Sequence, residues 1–325
     1  MAQKRKNRFW LFTRNILLFL TAISFVWFLT HQLMTLNEKN KYSPIGELVE
    51  VDGKNMHVYT KGKGENTIVL LSGLGTAAPV LDFEPLINEL AKQNNVVSIE
   101  SFGYGWSDST NKERTVKNIV EEIRSALKKA GIEGPYILMP HSISGIYSLY
   151  YANKYPDEIQ SVVGIDFTLP QALDYFNESA PTMPNYMKYL APTGIGRLVT
   201  MVNPDDFLPI AEKGTYTEEN LKMTKAISAW KGYNENIVEE ANQIGNNVQK
   251  TKNMTFPPTI PVLVFTTKEE SQGRKSLETF YKEQLHDHHS SKVITLEGHH
   301  YLHWTRAKDM AKQFEEWKEN IDKNN

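Results

Sequence analysis

The chain has 325 residues, which is enough for one large domain with an appendage. Its net charge of −2, with 23% charged residues, gives no reason to expect nucleic-acid binding. The chain has no cysteine, which excludes disulfides and thiolate metal sites and is compatible with export.

The N-terminus has the pattern of a membrane anchor. Five of the 36 basic residues lie in the first 14 positions, which hold no acid, so the rest of the chain carries 31 basic and 38 acidic residues. An apolar run follows at 16–36, about the length that spans a bilayer. The bulky sequence at 30–34 offers no small-x-small cleavage site, which favours an uncleaved signal anchor over a cleaved signal peptide. The basic leader predicts a cytoplasmic N-terminus, with the body of the protein outside the cell membrane.

After a polar linker at 37–45, the sequence predicts a β-hairpin over Gly46–Tyr59, with Asp52-Gly53 at its turn. Strand and helix patterns then alternate, which is typical of a mostly parallel sheet with right-handed crossovers. The helical patterns are Pro79–Lys92, Thr115–Ala130, Ile143–Tyr155 and, at the end of the chain, Ala307–Asn320. The strand patterns include Thr67–Leu71, Val96–Glu100, Ser161–Ile165, Ile260–Phe265 and Lys292–Leu296.

Ser142 lies where the apolar run from Ile137 breaks into a turn and then into a helix. A strand that turns sharply into a helix exposes one side chain at the apex, and the first amides of the helix point at the same place. The usual signature of such a turn is G-x-S-x-G. Here Pro140 and Ser144 occupy the two glycine positions, so the motif by itself is only moderately specific. An ordinary serine in a strand-to-helix turn is the alternative interpretation.

Two other segments carry related signals. The strand Thr67–Leu71 runs into the glycine-rich turn Ser72–Thr76, which is suited to aiming a backbone N–H into a pocket. Far downstream, the strand Lys292–Leu296 runs into a histidine-rich segment that begins at Glu297. The order of glycine-rich turn, serine and late histidine resembles the α/β-hydrolase family, over roughly Gly46 to Asn320. The resemblance implies an α/β fold in which residues 46–167 and 259–325 form the hydrolase core.

The alternation of strands and helices stops over residues 168–258. This insertion of about 90 residues is too long for a plain loop. It contains helical patterns at Glu218–Gly232 and Asn234–Gln249. It most resembles the helical cap that covers the pocket in many α/β-hydrolases.

The resemblance implies a catalytic triad with Ser142 as the nucleophile. A serine hydroxyl needs a base, and the base needs a partner to orient it. The family pattern favours His300 as the base, with His299 as the alternative because Gly298 precedes it directly. His303 is more typical of a structural histidine.

The acid of the triad is less well defined. The family usually supplies it after the strand before the last one, which favours Glu270 here, with Glu269 next. Asp166, at the end of the strand after the serine helix, is the other candidate because some relatives use that position. The resemblance also implies an oxyanion hole made of the backbone N–H groups of Leu74 and Ile143.

The run His286-Asp287-His288-His289 contains metal-ligand side chains, but its place between a helix and a strand favours a solvated turn.

Taken together, the anchor pattern and the resemblance predict a membrane-anchored serine hydrolase that needs no cofactor and acts on a hydrophobic ester or amide. An iminopeptidase-type peptidase would share these features. A haloalkane dehalogenase is disfavoured because its nucleophile would be aspartate. An alternative from a different functional class is a non-catalytic surface binding protein on the same scaffold. It is suggested by the absence of both glycines of the G-x-S-x-G motif and by the uncertain acid.

Overall fold

The computed structural model describes residues 2–268, 275–285 and 290–324. The acid candidates Glu269 and Glu270 lie outside the described residues, as does the run from His286 to His289.

The sheet is the centre of the fold. Its strands are β1 (Glu47–Val51), β2 (Lys54–Lys61), β3 (Thr67–Leu71), β4 (Asn95–Glu100), β5 (Tyr136–Pro140), β6 (Ile159–Ile165), β7 (Val262–Thr267) and β8 (Lys292–Leu296). The described residues place these eight strands in the order β1-β2-β4-β3-β5-β6-β7-β8. The hairpin β1–β2 and the pair β2–β4 are antiparallel, and every later pair is parallel. The predicted mostly parallel α/β sheet is confirmed, and the carboxyl ends of its parallel strands meet at one edge.

The helices follow the predicted alternation, with two differences. The α-helices are α1 (Ala2–Lys41), α2 (Pro79–Asp82), α3 (Glu84–Leu90), α4 (Val116–Lys129), α5 (Ser144–Lys154), α6 (Ala172–Phe176), α7 (Leu190–Thr193), α8 (Ile195–Val202), α9 (Glu218–Lys231), α10 (Glu235–Thr251), α11 (Leu277–Gln284), α12 (Leu302–Thr305) and α13 (Ala307–Asn324). The stretch predicted as one helix at 79–92 is divided at Phe83, because Pro85 lacks an N–H and fits only the first turn of a new helix. Residues 37–41, predicted as part of a linker, continue α1.

The two faces of the sheet are both buried, as its strand sequences require. In β3, Val69 and Leu71 belong to the core on one face, whereas Ile68 and Leu70 belong to the core on the other. The first core includes apolar side chains of α4 and α5, and the second includes side chains of α3 and α13. A strand buried on both faces is a nearly continuous apolar run, which is why these strands are legible in the sequence.

The segment between β6 and β7, here called the insert (residues 168–258), contains α6 to α10 and is helical wherever it is regular. The α9 helix begins after Thr217, whose hydroxyl accepts a hydrogen bond from Asn220 N, at 3.1 Å. The α10 helix begins after Asn234, whose side chain accepts from the backbone N atoms of Asn236 (2.9 Å) and Ile237 (3.3 Å). Both helices therefore start at the capping residue types that favour helix initiation.

Lys231, at the end of α9, is an ionisable residue of the insert that contacts the core. Its ammonium group donates to the backbone O of Ser107. Burial is the main cause that lowers its pKa from 10.5 to about 8, and the charge of Lys39 on α1 adds to the effect.

We expect Lys231 to make stability rise with pH in mildly alkaline solution. Between pH 8 and 10 the folded protein has released this proton while the unfolded chain still holds it. The free energy of unfolding should therefore increase by about 1 kcal/mol per pH unit, relative to a Lys231→Met variant. Urea unfolding of both proteins at pH 7 and pH 9.5 measures the difference, and parallel pH dependences would contradict the expectation.

Candidate active site

The strand-to-helix turn at Ser142 has the geometry of a nucleophile elbow. Ser142 has a φ of +53°, a left-handed conformation that residues other than glycine adopt at a cost. Its backbone N donates to Ile165 O (3.2 Å), and its carbonyl accepts from Thr168 N (2.7 Å) and Gly145 N (3.0 Å). These bonds to the neighbouring strand exit hold the strained residue at the apex between β5 and α5.

Two neighbours explain how the turn forms without the usual glycines. The hydroxyl of Ser144 donates to Ser72 O at 2.5 Å and so ties the elbow to the glycine-rich turn after β3. A Cβ atom on Gly145 would lie 2.4 Å from Thr168 O and 2.7 Å from Phe167. The close approach of α5 to the chain after β6 thus depends on the glycine one position beyond the motif. The sequence indicated Ser144 only as a replacement for the second glycine of the motif, and it gave no signal for the role of Gly145.

Asp166 and His300 form a hydrogen-bonded pair at the carboxyl edge of the sheet. Asp166 Oδ2 lies 2.7 Å from His300 Nδ1. The other oxygen of the carboxylate accepts from Thr266 Oγ1 at 2.8 Å. Asp166 is buried, whereas the side chain of His300 is 44% exposed. The pair can fix the imidazole so that Nε2 is free to accept a proton.

His300 is also tied to the elbow by the residue before Ser142. The ring of His141 donates from Nε2 to the carbonyl O of His300, at 3.1 Å, and the two rings are 4.7 Å apart. Burial is the main cause that lowers the pKa of His141 well below its usual value, so this ring stays neutral. Among the described residues, Ser142 Oγ and His300 Nε2 make no hydrogen bond with each other; such bonds commonly tighten when substrate binds.

The other two histidines of the segment have different partners. His299 accepts from Tyr301 N at its Nδ1 atom (3.1 Å), and its Nε2 lies 3.4 Å from Ile210 O. It contacts no carboxylate in the part of the chain that the structure describes. His303 is fully buried, with Nε2 2.6 Å from Asp82 Oδ2. The predicted structural role of His303 agrees with this placement, and its carboxylate partner was not foreseen.

The two predicted oxyanion donors lie on either side of the elbow. Leu74 follows β3, and a Cβ on the preceding residue, Gly73, would lie 3.0 Å from Ser142 Cβ. Ile143 follows the serine directly. Within the described ranges, neither Leu74 N nor Ile143 N has a hydrogen-bond acceptor. Two unpaired amides beside a serine can stabilise a negative charge that develops on a substrate oxygen.

The glycine-rich turn Ser72–Thr76, which contains the predicted oxyanion donor Leu74, is here called the oxyanion turn. A buried carboxylate of the insert is linked to it by hydrogen bonds. Glu240 on α10 accepts hydrogen bonds from the hydroxyls of Tyr104 (2.8 Å) and Tyr147 (2.7 Å). The Tyr104 hydroxyl in turn accepts from Gly75 N, at 3.3 Å. Burial raises the pKa of Glu240, while the charge of Arg114 and the two phenol donors oppose this rise. The insert therefore reaches both the turn after β3 and the helix behind Ser142.

Replacing Tyr104 should loosen this turn. We expect Tyr104→Phe to destabilise the fold by about 1–3 kcal/mol, because a buried carboxylate loses a donor. It should also lower kcat about tenfold, because Gly75 N loses its acceptor next to an oxyanion donor. Tyr147→Phe is the matched control, since it removes a donor from Glu240 but leaves Gly75 untouched. Equal kcat values for the two variants would contradict the positioning role of Tyr104.

A cavity of about 280 Å³ opens beside the oxyanion turn. Its wall runs from Leu74 to Ala78 on the core side and through Phe207, Leu208 and Pro209 on the insert side. The rings of Tyr301 and Trp304 stack 4.0 Å apart and also line it. Most of its lining residues are apolar or aromatic, which suits a hydrophobic group of moderate size. The carboxylates of Asp82 and Asp206 also line it, whereas Ser142 and His300 do not.

Comparisons with known proteins agree with this fold. A family model described as the alpha/beta hydrolase fold matches residues 66–307. Uncharacterized protein YbdG of Bacillus subtilis (strain 168) is 33% identical over 265 residues, which cover 78% of this chain and 80% of that protein. The 2-(acetamidomethylene)succinate hydrolase of Mesorhizobium japonicum is 29% identical over 124 residues, or 38% of this chain and 43% of that protein.

Solved structures share the architecture at low sequence identity. An epoxide hydrolase from Vigna radiata aligns with a TM-score of 0.63 and 18% identity, over 84% of this chain and 97% of that one. The enol-lactonase from Burkholderia xenovorans LB400 aligns with a TM-score of 0.59 and 17% identity, over 83% and 99% of the two chains. From the sheet and the family model that matches residues 66–307, it follows that the chain belongs to the α/β-hydrolase family.

Proposed function

We propose that this hydrolase acts by acyl transfer through Ser142, on a hydrophobic ester or amide. The observation that carries the proposal is the pairing of Asp166 with His300 beside the elbow, 2.7 Å between Oδ2 and Nδ1. In this mechanism the Nε2 atom of His300 takes the proton of Ser142 while the hydroxyl oxygen attacks the substrate carbonyl. The amides of Leu74 and Ile143 receive the negative charge of the tetrahedral intermediate.

The second half of the reaction uses the same groups. The protonated imidazole gives its proton to the leaving alcohol or amine, and the bond between the carbonyl carbon and the leaving group breaks. Water then attacks the acyl-enzyme with His300 again as the base, which releases the acid and restores Ser142. Asp166 stays ionised throughout and stabilises the imidazolium. None of these steps requires a cofactor.

We further propose that the enzyme is anchored in the cell membrane by α1. Residues 7–41 of α1 are long and apolar enough to cross a bilayer, with a mean hydropathy of 1.8 over the most apolar stretch. The basic leader favours a cytoplasmic N-terminus with the hydrolase body outside. Fractionation of cells checks this proposal, and a soluble, N-terminally trimmed product would contradict it.

A fluorophosphonate probe tests the nucleophile. We expect the full-length protein in detergent or liposomes to be labelled, with the label mapped by peptide mass spectrometry to Ser142. Ser144→Ala is the matched control, because it removes the neighbouring hydroxyl and should keep the label at Ser142. An unlabelled protein, beside a reactive control hydrolase, would favour a non-catalytic binding protein. A panel of esters of different chain length and aminopeptidase reporters separates esterase from peptidase activity.

A further inference from the structure

The insert carries an apolar surface that has no partner among the described residues. Six of its large apolar side chains are between 43% and 77% exposed: Ile195, Leu198, Val199, Met201, Val202 and Ile210. Four of these lie on α8 at the spacing i, i+3, i+4 and i+7, which is one face of a helix. We call these six residues the apolar face. An apolar patch of this kind on a soluble surface marks an interaction site.

The opposite side of α8 contacts the anchor helix. Arg197 is 3% exposed and donates from Nη1 and Nη2 to the carboxylate of Glu38, at 2.6 and 2.7 Å. It also donates to His31 Nδ1 at 3.0 Å. Near the start of α8, Trp27 Nε1 donates to Gly194 O at 3.3 Å. A Cβ on Gly194 would lie 2.6 Å from the His31 ring, so the two elements pack closely.

These contacts fix the position of α8 along the axis of α1. They run from Trp27 to Glu38, or about 16 Å of helix, and so overlap the apolar run at 16–36. On the same part of α1, Leu33 is 68% exposed and Leu36 is 59% exposed. If lipid covers these two leucines, the apolar face lies at the same level and meets the same lipid.

The charge pattern of α8 suits this position, whereas Asp205 and Asp206, exposed between Val202 and Ile210, would lie at the level of the lipid headgroups. From Leu190 to Val202 the only ionisable side chain is Arg197, and its charge is neutralised by Glu38. We propose that the apolar face rests in the outer leaflet of the bilayer that holds α1, so that the insert is an interfacial element. This inference rests on the proposed membrane anchor and goes beyond it, because an anchored body need not touch lipid.

The apolar face also adjoins the candidate active site. Ile210, 71% exposed, follows directly on Phe207, Leu208 and Pro209, which line the cavity beside the oxyanion turn. Its carbonyl oxygen lies 3.4 Å from the ring of His299, the residue before His300. A hydrophobic ester dissolved in the outer leaflet would therefore reach the cavity along this part of the insert.

The test uses the natural absence of cysteine. We introduce one cysteine at a time into the full-length protein, as Val202→Cys, Phe19→Cys or Lys129→Cys. Each variant is labelled with an environment-sensitive fluorophore. It is then reconstituted in phosphatidylcholine liposomes that contain nitroxide-labelled lipid, which quenches a fluorophore in contact with the bilayer. Phe19 reports insertion of α1, and Lys129, an exposed residue of α4, is the aqueous control. We expect quenching at Val202 and Phe19 but not at Lys129.

Each other result has a defined meaning. Quenching at Phe19 without quenching at Val202 overturns the docking of the apolar face on lipid and leaves the anchor intact. A second protein molecule that covers the apolar face would give this result. No quenching at Phe19 overturns the anchor and the docking together. Fluorophosphonate labelling of Ser142 in the same liposomes shows separately whether the enzyme is competent.

A second measurement tests delivery of substrate. The double variant Val199→Asp, Val202→Asp should hydrolyse a long-chain ester carried in liposomes about tenfold more slowly, because two apolar contacts with lipid are lost. Hydrolysis of a short, water-soluble ester should be unchanged, and Lys129→Asp should affect neither substrate. Equal losses on both esters would overturn the delivery role.

Discussion

Ser142→Ala should reduce kcat for ester hydrolysis on the order of 10⁵- to 10⁶-fold, since removal of a serine nucleophile abolishes the acyl-enzyme route. The variant should bind substrate nearly as well, because the cavity beside Leu74 is untouched. Its φ of +53° is unfavourable for alanine as it is for serine, so thermal unfolding should change little. Stopped-time assays with a p-nitrophenyl ester, together with the melting temperature, measure both effects.

Ser144→Ala is the control for this experiment, as its hydroxyl belongs to the hydrogen bond with Ser72 O and not to the proposed chemistry. It should retain most of the activity and lose some stability. If Ser142→Ala kept substantial activity after purification free of host esterases, the acyl-transfer mechanism at this residue would be refuted.

Asp166→Asn should reduce kcat by about 10⁴-fold. The Thr266 hydroxyl donates to Oδ1, so it holds the remaining oxygen of the amide on its own side. The amide N–H would then face His300 Nδ1 and force the ring to carry its proton on Nε2. In that tautomer the imidazole cannot accept the proton of Ser142. The measurement is kcat over the pH range in which the wild-type enzyme is active.

Glu269→Gln and Glu270→Gln are the matched comparisons, because the sequence favours Glu270 in the loop after β7, with Glu269 next, and leaves Asp166 as the other candidate for the acid of the triad. We expect each to change kcat by no more than about twofold, because Asp166 already supplies the carboxylate that is hydrogen-bonded to His300. A loss of the size predicted for Asp166→Asn in either glutamine variant, with Asp166→Asn active, would reassign the acid.

The sequence was most informative where function depends on local structure. The strand exits at Ser72, Ser142 and Glu297 are visible because buried parallel strands are continuous apolar runs that end abruptly at small or polar residues. The helices α9 and α10 begin near their predicted positions because Thr217 and Asn234 are capping residues.

The sequence was least informative where side chains pair across long separations. Asp166 and His300 are 134 positions apart, and Tyr104 and Glu240 are 136 apart. No local periodicity encodes such pairs; they follow from the order of strands in the sheet. One signal was available for Asp166: a carboxylate directly after an apolar strand, at the edge where the elbow opens. Glu240 gave no such signal, because a glutamate in a helix is normally a surface residue.

The short connection between α1 and β1 has a consequence for how the enzyme searches for substrate. Trp106 Nε1 donates to Tyr42 O at 2.8 Å at the start of this connection, and Gly46 N donates to His57 Nε2 at 2.9 Å at its end. Arg197 also binds Glu38 in the last turn of α1. A connection held at both ends does not act as a hinge, so α1 and the hydrolase body reorient together. If α1 is the proposed anchor, the body therefore keeps one orientation relative to the bilayer. Under that proposal, encounters with a substrate dissolved in the same bilayer would be a two-dimensional diffusion problem, set by lateral mobility and not by tumbling in solution.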